Sequence, residues 1–148
     1  MLTAEEYLEQ YRDATRLVIR AQEEYEKEME MVATIRSALG GDGLPRSGEI
    51  SKRVEKDALR LAEKAEELLD ARVEALMVRQ GIVRTIQKVS SPAADVLMER
   101  FVKLTDTGRL QPWRSVADAV GYSEENVYRL RKKGIEEIEK LLNIKSLQ

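Results

Sequence analysis

Apolar residues recur at spacings of three and four over most of the chain, which is the period of an α-helix. Thr3 and Glu6 form a capping-box pattern at the start of the first segment, where each side chain binds a free amide of the first turn. Ten positions then follow the helical spacing, and seven of them are apolar: Leu8, Tyr11, Thr15, Val18, Gln22, Tyr25, Met29, Val32, Arg36 and Leu39. The pattern predicts one long helix with a narrow, coiled-coil-type seam.

A run rich in glycine and proline, residues 40–48, interrupts this pattern and predicts a loop, since glycine and proline past a helix end are stop signals. The spacing returns from about Glu49 to about Val89. The apolar positions of this second segment are Val54, Ala58, Leu61, Ala65, Leu68, Ala75, Ile82, Ile86 and Val89. Two long helices joined by a short loop predict an antiparallel hairpin.

Shorter elements follow the hairpin. A serine cap with Pro92 at the first helical position predicts a helix that buries Val96, Leu97, Phe101 and Val102. Residues 103–111 are typical of a loop, after which Pro112 can open another helix. Ser123 is placed to cap a last helix that reaches about Leu142.

The predicted fold is therefore all-α, with two domains. Residues 1–89 form a long antiparallel, coiled-coil-like hairpin, and residues 90–148 form a small bundle that contains a helix-turn-helix.

Composition narrows the chemistry. The 148 residues include 25 basic and 27 acidic side chains, a net charge of −2, and neither cysteine nor histidine. Disulfides, Cys/His zinc sites and cysteine or serine–histidine catalysis are excluded, and no carboxylate pair or phosphate-binding glycine motif stands out. We therefore expect no enzyme, catalytic residue, cofactor, metal or small-molecule substrate. The N-terminus lacks a signal peptide and no run would span a bilayer, which predicts a cytoplasmic protein with no membrane partner.

The near-zero net charge conceals an uneven distribution. Residues 1–40 carry a net charge of −4, whereas residues 41–90 and 91–148 each carry +1. Four cations stand close together in the last part, with no acid among them: Arg129, Arg131, Lys132 and Lys133. Any basic surface that could meet nucleic acid is therefore local.

Residues 113–132 fit the template of a DNA-binding helix-turn-helix. Ala117 is the small residue needed where the second helix crosses the first, and Gly121 supplies the turn glycine that accepts a positive φ. The template assigns five further residues to buried positions: Val116, Val120, Tyr122, Val127 and Leu130. Tight helical corners without a DNA role also satisfy this template. The outward side chains of the second helix therefore decide between DNA binding and a purely structural corner.

Those outward side chains suit DNA. Predicted base contacts are Glu125, Asn126 and Arg129, because Asn and Arg read adenine and guanine edges and a carboxylate accepts from cytosine. Predicted phosphate contacts are Arg114, Tyr128, Arg131, Lys132 and Lys133. A solvated charged face, with the acids favouring the helix dipole, is the alternative interpretation.

The C-terminal stretch from Ser91 to Leu142 resembles region 4 of bacterial sigma factors, which binds the promoter −35 element. Residues that match the pattern are Arg100, Phe101, Val102, Val116, Ala117, Val120, Gly121, Ser123 and Val127. The whole chain resembles phage and prophage sigma-like regulators of the ArpU-like kind, through Tyr7, Leu8 and Tyr11 and through Val127, Tyr128, Arg129 and Leu130. One departure is the segment 103–112, which is longer than the family pattern and either forms a surface insertion or displaces the first helix of the motif.

This resemblance implies a phage-type transcriptional regulator that binds double-stranded DNA, as a dimer on two half-sites, and that contacts RNA polymerase or an operator. A second hypothesis is a DNA-packaging subunit similar to a small terminase, although in that group the DNA-binding element comes first. A third is a helical protein–protein adaptor with no nucleic-acid role.

Overall fold

The structure is a computed structural model that describes residues 2–39 and 48–146. All regular elements in these ranges are helical: α1 (Ala4–Leu39), α2 (Gly48–Ile86), α3 (Ala93–Leu97), a π-helical turn (Met98–Val102), α4 (Trp113–Val120) and α5 (Glu124–Ser146). The predicted all-α class, with two long N-terminal helices and a C-terminal helix-turn-helix, is confirmed. The predicted loop at 40–48 falls on residues 40–47, which lie outside the described residues, and Gly48 already begins α2.

Two compact units make up the chain. Unit 1 contains the described residues 2–16 and 74–146, that is, the start of α1, the end of α2 and all the C-terminal elements. Unit 2 contains the described residues between 17 and 73. The domain boundary after residue 89 stays a prediction.

The start of α1 has the predicted capping box. The backbone N–H of Glu6 donates to Thr3 Oγ1 at 3.1 Å, and the backbone N–H of Thr3 donates to Glu6 Oε2 at 3.4 Å. Tyr7 in the next turn reaches α2, where its hydroxyl lies 2.8 Å from Thr85 Oγ1. This contact between the first residues of α1 and the last residues of α2 fits an antiparallel pair.

Unit 1 has a continuous hydrophobic core. Eight of its large aliphatic side chains are at most 1 % exposed: Leu8, Ile82, Ile86, Val96, Leu97, Val116, Val127 and Ile138. Thr85 is buried among them and is satisfied, because its hydroxyl donates to the carbonyl of Gly81 at 3.0 Å. This core fixes the helices that carry the helix-turn-helix.

The junction between α2 and α3 differs from the prediction. α2 ends at Ile86 instead of continuing to Val89, although Val89 is buried. The predicted serine cap is wrong, because Pro92 directly precedes α3 and no side chain caps that helix. The Ser91–Pro92 peptide is cis. Backbone bonds alone begin the helix, from the N–H of Ala94 to the carbonyl of Ser90 and from Val96 to Pro92.

A close approach holds α5 against α3. A Cβ added to Gly134 would lie 3.0 Å from Leu97 Cδ1 and 3.5 Å from the Cβ of Ala93. Glycine is costly inside a helix, by about 1 kcal/mol relative to alanine, so its position here is explained by crowding.

Unit 2 has little core of its own. Among residues 17–38 and 51–73 only Leu68 is buried. Polar contacts between the two helices include Lys64 Nζ, 3.3 Å from Glu24 Oε2, and Arg72 Nη2, which donates to Gln22 at 2.7 Å. The hydrogen bond to Glu24, followed by that to Glu67, raises the pKa of Lys64.

The predicted seam of α2 is partly wrong in unit 2. Leu68 is buried and Leu61 is half-buried, as expected, but Val54, Ala58 and Ala65 are exposed. Helical spacing alone places all five residues on one stripe, whereas the structure divides them between two neighbouring stripes.

Candidate nucleic-acid interface

The turn between α4 and α5 has the backbone geometry that the motif requires. Gly121 adopts φ 77° and ψ 24°, the left-handed conformation that glycine accepts without steric cost. The N–H groups of Gly121 and Tyr122 both donate to the carbonyl of Ala117, at 3.0 and 3.2 Å. Ser123 Oγ then accepts from the backbone N–H of Asn126 at 3.2 Å and caps α5.

Four of the positions assigned to the interior of the motif are buried: Val116, Ala117, Val127 and Leu130. Val120 is half-buried and packs against the same core. Tyr122 is different, because it is 39 % exposed. Its predicted buried position is wrong, since the turn directs the side chain to the rim of a shallow surface groove beside Met98 and Lys103.

The segment 103–112, which either inserts at the surface or displaces the first helix of the motif relative to the family pattern, forms a compact loop. The backbone N–H of Thr105 donates to the carbonyl of Arg109 at 2.8 Å, and the N–H of Gly108 donates back to Thr105 at 2.9 Å. The loop therefore closes on itself, and Val116 in α4 remains buried in the core of unit 1.

The structure brings the three predicted base-contact residues together. Glu125, Asn126 and Arg129 line one surface concavity of about 400 Å³, together with Ser123. Arg129 Nη2 donates to Asn126 Oδ1 at 2.5 Å, so two side chains with the chemistry to read base edges already share a hydrogen bond. Glu125 is exposed in the first turn of α5, where its charge also favours the helix dipole.

The predicted phosphate contacts have different surroundings. Four of the five are exposed: Arg114 at the start of α4, and Tyr128, Lys132 and Lys133 on α5. Arg131 instead turns toward the start of α1, where its Nη2 lies 2.6 Å from Glu5 Oε1. Its guanidinium also lies over the Trp113 ring, 5.0 Å from the centroid.

Trp113 packs against the side chains of two arginines and one tyrosine, and the sequence did not predict these contacts. The Arg100 guanidinium lies 4.5 Å from its ring centroid, and the Tyr128 ring lies 6.0 Å away. Arg100 also donates to the carbonyl of Gln111. Burial, together with the charge of Arg131, lowers the pKa of Arg100, and the indole face offsets part of the cost of holding two cations close together.

Neither Glu5 nor Trp113 carries a local signal in the sequence. Glu5 lies 126 residues from Arg131, and an acid in the first turn of a helix already has an ordinary explanation in the helix dipole. Only the folded arrangement of unit 1 shows that both support the second helix of the motif.

Within the described residues no group of three or more acidic side chains is arranged to hold a metal ion. Across residues 2–39 and 48–146, no helix has the length and apolar character needed to cross a bilayer.

Comparison with family models, curated proteins and solved structures finds no match for this chain, so the resemblance to sigma region 4 rests on its motif residues.

Proposed function

We propose that the chain is a phage-type transcriptional regulator that binds duplex DNA through α4 and α5. The observation that carries this proposal is the exposed face of α5 next to a correctly formed turn. Gly121 and Ser123 give the crossing of a helix-turn-helix, while Asn126, Arg129 and Lys132 stand on the outer side of its second helix. In such motifs that helix enters the major groove with its N-terminal residues on base edges.

The roles on this face follow from chemistry and position. Arg129 and Asn126 read bases from the first turns of α5, with Glu125 beside them. Lys132 and Lys133, one turn later, meet phosphates as point charges, and Arg114 and Tyr128 do the same from the flanks. Arg131 contributes least to phosphate binding, because Glu5 already neutralises it.

The resemblance to sigma region 4 and to ArpU-like regulators supports transcription as the process served. A regulator of this kind recruits RNA polymerase or blocks it at an operator. A gene position just upstream of phage packaging genes would favour control of late genes.

The first experiment measures binding to a mixed-sequence duplex over a series of salt concentrations. Because each neutralised phosphate adds to the salt dependence, Lys132→Ala should weaken binding and reduce the slope of log K against log salt by about 1. Arg84→Ala, which removes an exposed cation from the last turn of α2, is the control and should leave the slope unchanged. Absence of binding at low salt would refute the proposal.

The second experiment tests base contact. A preferred duplex is first enriched from a randomised pool, and binding is then compared with a scrambled duplex. Arg129→Ala should cost about 1–3 kcal/mol on the preferred duplex and much less on the scrambled one, since a lost base contact removes specificity. Equal losses on both duplexes would assign Arg129 to the backbone and contradict its role as a base reader.

A further inference from the structure

α2 carries a second apolar stripe, which α1 does not cover. Its members within unit 2 follow spacings of four, four, three, four and four, and all are exposed: Val54, Ala58, Ala62, Ala65, Leu69 and Val73. Leu69 is 60 % exposed and Val73 is 47 % exposed. Leu61 and Leu68, the more buried leucines of the same helix, belong to the neighbouring stripe.

The stripe borders an apolar groove between the two helices of unit 2. Val32 and Ile35 of α1 line this groove of about 240 Å³, together with Val54, Ala58, Leu61, Ala62 and Ala65 of α2. Only Arg36 and Asp57 add charge to its walls. The three alanines leave room for the backbone of another helix to come close, and Leu69 and Val73 continue the apolar surface beyond it.

Unit 2 needs a partner for energetic reasons. Helices of this length gain most of their stability from packing one apolar face, yet residues 17–38 and 51–73 bury only Leu68. Four further large apolar side chains of the unit are also about half exposed or more: Leu17, Met29, Met31 and Leu59. A stable helical hairpin with so little core is unusual unless another surface covers it.

The available area matches a dimer. At about 1.5 Å per residue the part of α2 from residue 48 to 73 is roughly 39 Å long, and two helices side by side are about 20 Å across. One side of the hairpin therefore has a projected area of roughly 800 Å². This is comparable with the accessible surface of ~800 Å² that each partner buries in a standard specific interface.

We infer that a second copy of this chain packs on the stripe from Val54 to Val73, so that two hairpins form a four-helix bundle in unit 2. In such a bundle the same patch meets itself around a two-fold axis, and both copies fill their missing core at once. The inference does not depend on DNA binding by unit 1.

Molecular mass in solution tests the dimer, measured by sedimentation over a concentration series. The wild-type chain should have twice its 16.9 kDa, and Leu69→Glu should return it to 16.9 kDa. Leu59→Glu is the matched control, because Leu59 is similarly exposed, at 65 %, but lines a different groove with Lys52 and Lys56. This variant should stay dimeric. A monomeric wild type, a larger assembly, or a dimer broken only by Leu59→Glu would each overturn the inference.

Thiol protection gives a readout that does not rely on a disruptive variant. Because the chain has no cysteine, Ala62→Cys and Glu63→Cys each introduce a single thiol, on the stripe and one residue off it. Both positions are exposed within one chain, so a dimer should slow maleimide labelling at position 62 and not at 63. Protection at position 62 should disappear when Leu69→Glu is added. Equal labelling rates at the two positions would overturn the inference.

Discussion

The two units contain parts of the same two helices, but they are stabilised differently. In unit 1 the start of α1 and the end of α2 are covered by α3, α4 and α5, and residues such as Leu8 and Ile82 are fully buried. In unit 2 Leu68 is the one buried residue among those for which burial is described. Two paired helices bury a substantial hydrophobic core here only where further helices cover them.

The largest difference should appear when a leucine is shortened in each unit. Leu8→Ala removes a side chain with no exposed surface and should lower the free energy of unfolding by about 2–5 kcal/mol. Leu59→Ala in unit 2 removes a leucine that is already 65 % exposed, and its effect should stay within about 0.5 kcal/mol. Urea denaturation measures both, and similar losses would contradict the contrast between the units.

A smaller loss is expected where unit 1 is most crowded. Gly134→Val places side-chain atoms against Leu97 and should destabilise by about 1–3 kcal/mol through overpacking. Gly81→Ala is the comparison, because no atom lies within 4 Å of its added Cβ, and it should raise stability by up to about 1 kcal/mol. Thermal or urea unfolding distinguishes the two, and a stable Gly134→Val protein would show that α5 and α3 are loosely packed.

The cap of α5 should matter less than the core beneath it. Ser123→Ala removes the acceptor of the Asn126 amide and should cost about 1 kcal/mol, with the loss concentrated in the first turn of α5. Ser115→Ala, an exposed serine inside α4, should change stability by less than about 0.5 kcal/mol. Hydrogen exchange at the amides of residues 125 and 126 would locate the effect. Unchanged exchange rates at these amides in Ser123→Ala would contradict the cap.

The smallest effect concerns the polar contacts that hold unit 2 together. Glu24→Gln should lower the pKa of Lys64 toward its ordinary value, because the hydrogen bond to Glu24 is the main cause of its raised pKa. Since the folded-state pKa is raised, the contribution of this pair is fully present below the unfolded pKa and is lost as the pH rises through the folded one. An NMR titration of the lysine side chain measures the shift, and Glu66→Gln, which removes a non-partner acid, should leave it unchanged.

Local patterns predicted the parts of the fold that depend on neighbouring residues. The capping box of Thr3 and Glu6, the turn at Gly121 and the cap at Ser123 are all confirmed, because each is decided within a few residues. The helical spacing of apolar residues likewise predicted that α1 continues to Leu39, and the structure confirms this.

Features that depend on distant residues were not predictable in this way. Helical spacing in α2 does not distinguish two adjacent apolar stripes, so Ala58 and Ala65 were placed with Leu68 although only Leu68 is buried. The exposed position of Tyr122 depends on how the turn meets the π-helical segment. In the candidate interface, the cations were found from sequence, but the pairing of Arg131 with Glu5 was not. The base and phosphate contacts themselves stay predictions.

Trp113 is the only tryptophan of the chain, and this gives the molecule an internal optical probe. Its indole lies under the guanidinium groups of Arg100 and Arg131 and beside the ring of Tyr128. Any event that loosens α4 from α5, or that draws Arg131 away from Glu5, changes the charge next to the emitting ring. With excitation selective for tryptophan, the fluorescence of the unlabelled protein therefore reports on the helix-turn-helix, and Tyr25 of unit 2 does not contribute.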